Sequence, residues 1–553
     1  RGDPSVSFNP FLGIEISDLT ISDPMANEGD PPLLDASKVQ AQLEIIPALF
    51  GQIKISQYLL VRPRLNLKVY SDGNSNWHFK QGDLHDAYRE TQDSLQSETS
   101  ATPVSAGLGT FLIDDGTVSY EDAITGQTEN ITSINGTILW PSTDQSAKSN
   151  STAIWRGEIV ASQFELSKPL ELMAGGETDA NISFESAPAA IEFRGSANML
   201  SDLFVKGEIE LNTPSLRRFS EFFVTDFTDF YLPGTIDLSG EIEATGDAMR
   251  LTDAQINIAG HNASGVISLG WDEVDNASID GTLAFDTIDL SSFIEDNSET
   301  IEQLTAPGEA KGIKVDLRIS ANSIDVGFLE LSQVAAAVNV AGDNWTFDVG
   351  DSQTLGGNLI ARIGERQEQD GPLVLMEVTA TDVDAASVSE LFPERLIGMT
   401  GKGNFNASLR SKTFAGLLGV SGLNGSLTTS LENGSITGID IPFLLSRSND
   451  KPIGAELGDK TDFQNARFNF FISNGIASIS QSTIDGEQSK IQMIGRVDLR
   501  QGNLALRAQE ITDGAPEPER LFIGGTLKAP LVSLKKSQLD QTGDPETEEA
   551  ISN

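Results

Sequence analysis

The chain reads as mainly β: an elongated, twisted antiparallel sheet interrupted by a few short amphipathic helices. Three observations predict this class. Beyond residue 105, apolar and polar residues alternate with period two, the mark of strands with one apolar and one wet face. Asp-Gly and Asn-Gly dipeptides separate many of these runs and read as hairpin turns. Finally, 553 residues with 39% hydrophobic content is too long for one ordinary core, so several packed units or one extended structure are expected.

The elements follow in order. Residues 33–50 place Leu33, Leu34, Val39, Leu43, Ile46 and Leu49 at mixed three- and four-residue spacing, which predicts a helix. The low-hydrophobicity stretches 81–103 and 141–152 read as linkers or surface excursions. The clearest strand is Thr235–Gly246, with Ile236, Leu238, Ile242 and Ala244 facing one way and Asp237, Ser239, Glu241 and Glu243 the other. Val315, Leu317, Ile319 and Ala321 repeat the pattern, as do Trp345, Phe347 and Val349, then Phe468, Phe470 and Ile472, then Leu504, Leu506 and Ala508. Expected turns lie at Asp115-Gly116, Asn135-Gly136, Asn433-Gly434, Asn474-Gly475 and Asp485-Gly486. A helix is predicted over 214–230, with Leu216, Phe219, Phe222 and Phe223 on one face, and shorter ones at 289–304 and 386–397. The polar, acidic tail 537–553 has the composition of a disordered segment. No fixed-length repeat is present, which points away from propellers and regular β-helices.

The formal net charge is -44. That argues against a nucleic-acid partner, because neutralising phosphates takes clustered Lys and Arg. The charge is uneven: residues 1–80 carry a net of -2 and residues 491–536 a net of +2, while 81–490 are strongly acidic. A solubilising surface explains the acidic middle. The sharper reading is that only the two ends approach anionic membranes. The chain has no cysteine, which excludes disulfides, thiolate metal sites and cysteine nucleophiles. No run of eighteen apolar residues predicts a membrane-spanning helix. No G-x-S-x-G, H-E-x-x-H or phosphate-loop pattern occurs, so neither catalysis nor a cofactor is expected. His78 and His85, near Asp83 and Asp86, read as polar loop residues before they read as a metal site. Trp77 reads as a core anchor, with a place at the mouth of a lipid path as the alternative. Phe219, Phe222 and Phe223 fit core packing or a groove that lipid shares.

Two regions carry a resemblance. The first runs Phe8-Asn9-Pro10-Phe11-Leu12-Gly13-Ile14, then LEIIPALFGQIKISQYLLVRPRLNL from Leu43 to Leu67, then Ser71-Asp72-Gly73-Asn74-Ser75-Asn76-Trp77. The second has LENGSITGIDIPFLL from Leu431 to Leu445, Gly495-Arg496-Val497-Asp498-Leu499 and Gly525-Thr526-Leu527-Lys528-Ala529-Pro530. In order and approximate spacing these resemble the AsmA family of Gram-negative envelope proteins. The resemblance divides the chain into an N-terminal chorein-like module at 1–80, a linker at 81–105, an extended β region at 106–400, a C-terminal β region at 401–536 and the tail. It also implies a membrane helix ahead of Arg1, anchoring the protein in the inner membrane with its bulk in the periplasm.

Periodicity leaves open what the apolar face covers. It fits a dry sandwich and an open groove equally. The resemblance favours a groove that shelters phospholipid acyl chains on their way between inner and outer membranes. Groove candidates are then Phe111, Ile113, Ile236, Leu238, Ile242, Val315, Leu317, Ile319, Trp345 and Phe347. Partners implied are phospholipid, the inner membrane and the outer membrane or its assembly machinery. The competing readings are an assembly factor for outer-membrane proteins and a calcium-stabilised adhesin.

Overall fold

The computed structural model describes residues 3–7, 13–23, 31–44, 50, 55–77, 83–97, 107–199, 203–223, 234–271, 277–291, 313–342, 344–369, 371–391, 396–418, 420, 422–447, 453–454, 458–487, 489–511 and 520–534. Strands dominate and the helices are short, as the alternation predicts. The chain divides into two compact units, Arg1–Trp271 and Asp272–Asn553.

In the first unit, Gly13–Ile21 pairs with Leu34–Leu43, which pairs with Ile55–Val61, all antiparallel. Ile55–Val61 and Arg64–Val69 then lie parallel to Gly107–Asp122. A parallel pair needs a long crossover, and residues 70–106 supply it. From Gly107–Asp122 to His261–Trp271 each strand pairs antiparallel with the next. In the second unit, Ala277–Asp289 runs parallel to Ile313–Asp325. A mostly antiparallel succession follows, ending at Pro530–Ser533.

Three sequence expectations need correction. Leu34–Leu43 is a strand, not a helix; residues 45–49 of that expectation lie outside the described residues. Val39, Ala41 and Leu43 also fit period two, and the alternate residues find polar partners across the sheet. Lys38 pairs with Glu15 at 3.1 Å, and Gln40 Nε2 donates to Glu15 Oε2 at 2.7 Å. Flanking strands on both sides outweigh the helix propensity of Ala, Gln, Lys and Leu. The expected linker at 81–103 carries the helix Asp83–Ser97. Ala87 and Thr91, four apart, are buried on one of its faces, so a thin stripe suffices where the rest is polar. Residues 141–152 include most of the strand Ala147–Trp155. Its covered face is built from Ala147, Ser149, Ser151 and Ala153, small residues that low hydrophobicity conceals.

The Gly dipeptides divide by role. Asn474-Gly475 closes the hairpin between Lys460–Ser473 and Ile476–Asp485, and Asp485-Gly486 starts the next turn. Asp115-Gly116 and Asn135-Gly136 instead sit inside continuous strands where the register shifts, and Asn433-Gly434 lies within Asn424–Thr437. The left-handed backbone of Asp115, φ 53°, serves a bulge as well as a turn. Hairpins also close at Arg156-Gly157, Ala259-Gly260 and Leu355-Gly356, with both residues at positive φ.

The predicted helices at 214–230 and 386–397 are found as Leu216–Phe223 and Ala385–Glu390. Asp384 caps the latter by accepting from Ala386 N–H at 3.2 Å. Residues 224–233, 392–395 and most of 289–304 lie outside the described residues, as does the tail. No helix among the described residues is long and apolar enough to cross a membrane.

Candidate functional site

Register arithmetic places a row of mostly apolar residues of the first unit on one face, while Leu139, Ile154 and Ile159 point to the other. Directly opposed residues in a sheet point the same way. Ile14 opposes Ala41, Ala41 opposes Tyr58, and Tyr58 opposes Phe111. The row continues through Ile138, Ser149, Phe164 and Ile182. It then passes through Phe193 and Ile209 to Gly240. Parallel rows accompany it: Ile113 stands beside Leu60, and Leu238 between Leu211 and Ile256. Phe111, Ile113, Ile236, Leu238 and Ile242 therefore share one face.

This face is not sealed. Tyr58, Phe111, Ile113, Ile138, Phe164, Ile209, Leu211, Ile236 and Leu238 are all half-buried. Ile182 is 42% exposed, Met199 46% and Leu203 47%. Ile242 and Phe193 are buried. Burial pushes the Tyr58 phenol up, consistent with its ring stacking on Phe111 at 4.9 Å. At Gly195 and Gly207 the sheet bends tightly. A Cβ on Gly195 would lie 2.1 Å from the Lys206 carbonyl oxygen, so only glycine fits there.

One helix lies on this face. Phe222 packs edge-on against Trp155 at 5.1 Å, and Phe223 lies 5.8 Å from Phe184. Trp155 and Phe184 both belong to the apolar side. Arg218 pairs with Glu158 at 2.7 Å. Arg156 donates to the Phe222 carbonyl and pairs with Glu129, which also accepts from Trp155 Nε1 at 2.8 Å. The Arg156 hydrogen bond holds the Glu129 carboxyl below its ordinary range. Sequence identified the three phenylalanines but not Trp155 or Phe184, the rings that receive them. Trp155 ends a strand too polar to draw notice.

Residues 71–77 follow the strand Arg64–Val69. Trp77 is half-buried, 6.4 Å from Tyr120, a ring of the apolar face. Its neighbour Asn76, which sequence missed, is 4% exposed. Asn76 Nδ2 donates to Asp23 Oδ2 at 3.0 Å and to the Asn66 carbonyl at 2.8 Å, and its Oδ1 accepts from Lys68 N–H at 3.0 Å. Tyr70 Oη donates to the same Asp23 oxygen at 2.6 Å.

In the second unit, Val315, Leu317 and Ile319 oppose Val340, Val338 and Ala336, and Trp345 and Phe347 continue those rows. All five candidates are half-buried. Ile319 and Phe347 pack against a buried cluster that includes Val334 and Val349. Trp345 opposes Glu365, a buried carboxylate that breaks the apolar stripe and that sequence did not flag. Further along, the face is shut. Leu431, Ile484, Ile491 and Leu521 are at most 1% exposed. The helix Ile441–Leu445 drives Ile441 and Leu445 into that core. Among the described residues no group of three or more His, Asp or Glu is placed to hold a metal ion.

Residues 1–211 match the family model described as AsmA family. No curated protein and no solved structure matches the chain.

Proposed function

From the match of residues 1–211 to the AsmA family, we propose that the chain is a cell-envelope protein that carries phospholipid between the inner and outer membranes without bond chemistry. The observation that supports this reading is the row from Ile14 to Gly240, apolar at most positions and half-exposed along most of its length. A soluble protein with no partner for such a face would seal it, as this chain does around Ile491.

The mechanism is passive. Each methylene kept from water is worth about 0.8 kcal/mol, so acyl chains leave a bilayer only along an apolar lining. The half-buried rows supply that lining while the head group stays in water at the open side. Ile, Leu, Phe and Tyr side chains act collectively, and no single residue is catalytic. Placement at the inner membrane, with the bulk in the periplasm, completes the reading.

The test is the lipid content of the protein purified from its own envelope. Organic extraction and mass spectrometry should find phospholipid at a reproducible ratio to protein. A protein that never carries phospholipid, with or without added vesicles, overturns the conduit and favours an assembly scaffold.

A further inference from the structure

The opposite face of the C-terminal sheet has a chemistry unlike the rest of this acidic chain. On Lys460–Ser473, Lys490–Asp498 and Leu504–Glu510, alternate residues enter the sealed core, and their neighbours point outward. Arg467, Arg496 and Arg507 are among the outward ones. Register sets Phe471, Ser478 and Arg496 in one row and Ile494, Arg507 and Phe522 in the next. Arg496 opposes Ala505 and Arg507 opposes Ile494, so the two arginines are diagonal neighbours about 7–8 Å apart.

None of these three arginines has a carboxylate partner among the described residues. Three carboxylates at the strand ends are engaged by cations of their own. Asp462 pairs with Lys460, Asp485 with Lys490 and Asp498 with Arg500, at 3.0, 3.3 and 3.2 Å. Glu432, on the adjacent strand, makes no ion pair with Arg467. The Arg507 guanidinium lies 5.2 Å from the Phe522 ring centre, and its Nε is buried without a hydrogen-bond partner. Phe471 stands 63% exposed beside this row. In a chain of net charge -44, with acids in excess of bases more than twofold, guanidinium groups without carboxylate partners on the face that carries an exposed aromatic ring are a local reversal of sign.

We propose that this outer face, centred on Arg467, Arg496, Arg507 and Phe471, docks on the surface of an anionic phospholipid bilayer. Guanidinium forks match phosphate oxygens two at a time. Phe471 supplies an apolar anchor between them. Charge complementarity selects anionic over zwitterionic surfaces. At physiological salt the field of distant carboxylates fades over about 8 Å, so the local arginines decide the contact.

The test is flotation of the purified chain with vesicles of phosphatidylcholine alone or mixed with phosphatidylglycerol. Wild type should float with the mixed vesicles, lose that binding at high salt, and ignore phosphatidylcholine. Arg467→Gln with Arg496→Gln removes two exposed charges without entering the core. It should weaken binding to mixed vesicles on the order of 30-fold, with an unchanged melting temperature. Leu238→Asp, on the apolar face of the first unit, should float as wild type, which separates failure here from failure of the conduit. Equal binding by the double variant, binding without preference for phosphatidylglycerol, or tighter retention on duplex DNA than on vesicles would each overturn the proposal.

Discussion

Leu238→Asp and Ile491→Asp place the same carboxylate on the two kinds of apolar surface in this chain. Leu238 is half-buried, between Leu211 and Ile256. Losing its partial burial costs about 1–2 kcal/mol, and the new carboxylate keeps contact with water. Ile491 is 1% exposed within the sealed core. There the substitution forfeits about 2–3 kcal/mol of transfer free energy. It also buries an unpaired acid, which costs several kcal/mol more or forces the group to stay protonated. Against a typical total of about 5–15 kcal/mol, the first variant stays folded and the second loses its C-terminal sheet. Thermal unfolding by circular dichroism reads both, and phosphate assay of the purified proteins reads bound phospholipid. Leu238→Asp should melt within several degrees of wild type and carry less lipid. If it unfolds as severely as Ile491→Asp, or keeps all its lipid, the reasoning from an open face is wrong.

Asn76→Ala strands the Lys68 N–H and the Asn66 carbonyl and should cost about 1–3 kcal/mol, visible in urea unfolding; no change would mean that water replaces the side chain. Gly195→Val drives a side chain into the Lys206 carbonyl and should destabilise by about 1–3 kcal/mol or more; a calorimetric melt at the wild-type temperature would contradict the tight bend. Phe222→Ala empties a buried aromatic site beside Trp155 and should cost about 3–5 kcal/mol, with a red shift of Trp155 emission. The Glu129 carboxyl is held low, so its pairing with Arg156 is intact at neutral pH and lost as pH falls through its folded value, below the ordinary 4.5. Trp155 emission should therefore step at acidic pH in wild type and not in Glu129→Gln; identical titrations would show that the pair does not hold this cluster.

Much of the fold was legible because period-two alternation is a direct consequence of strand geometry. Ile236, Leu238 and Ile242 fell on one face as read, and so did Val315, Leu317 and Ile319. What alternation cannot encode is whether the far side of a face is occupied. Leu504 and Ile236 look alike in sequence, yet one is sealed and the other half-open. Local chemistry also underdetermines geometry. Leu34–Leu43 has helix-forming residues but gains its hydrogen bonds from two neighbours distant in sequence. Asp115-Gly116 needs the same left-handed backbone whether the chain turns or bulges, so the dipeptide marks the conformation and not the topology. Asn76 was missed because its value lies in Asp23, fifty-three residues away.

The proposed conduit requires acyl chains against the apolar face of the first unit and none against its polar face. Adjacent strands offer a matched pair of positions: Ile182, 42% exposed on the apolar side, and Glu192, exposed on the polar side. A photoreactive amino acid introduced at each in turn, activated in intact envelopes, labels whatever lies against it. Mass spectrometry should find phospholipid adducts at position 182 and none at 192. Adducts at neither position, or equally at both, would contradict the account.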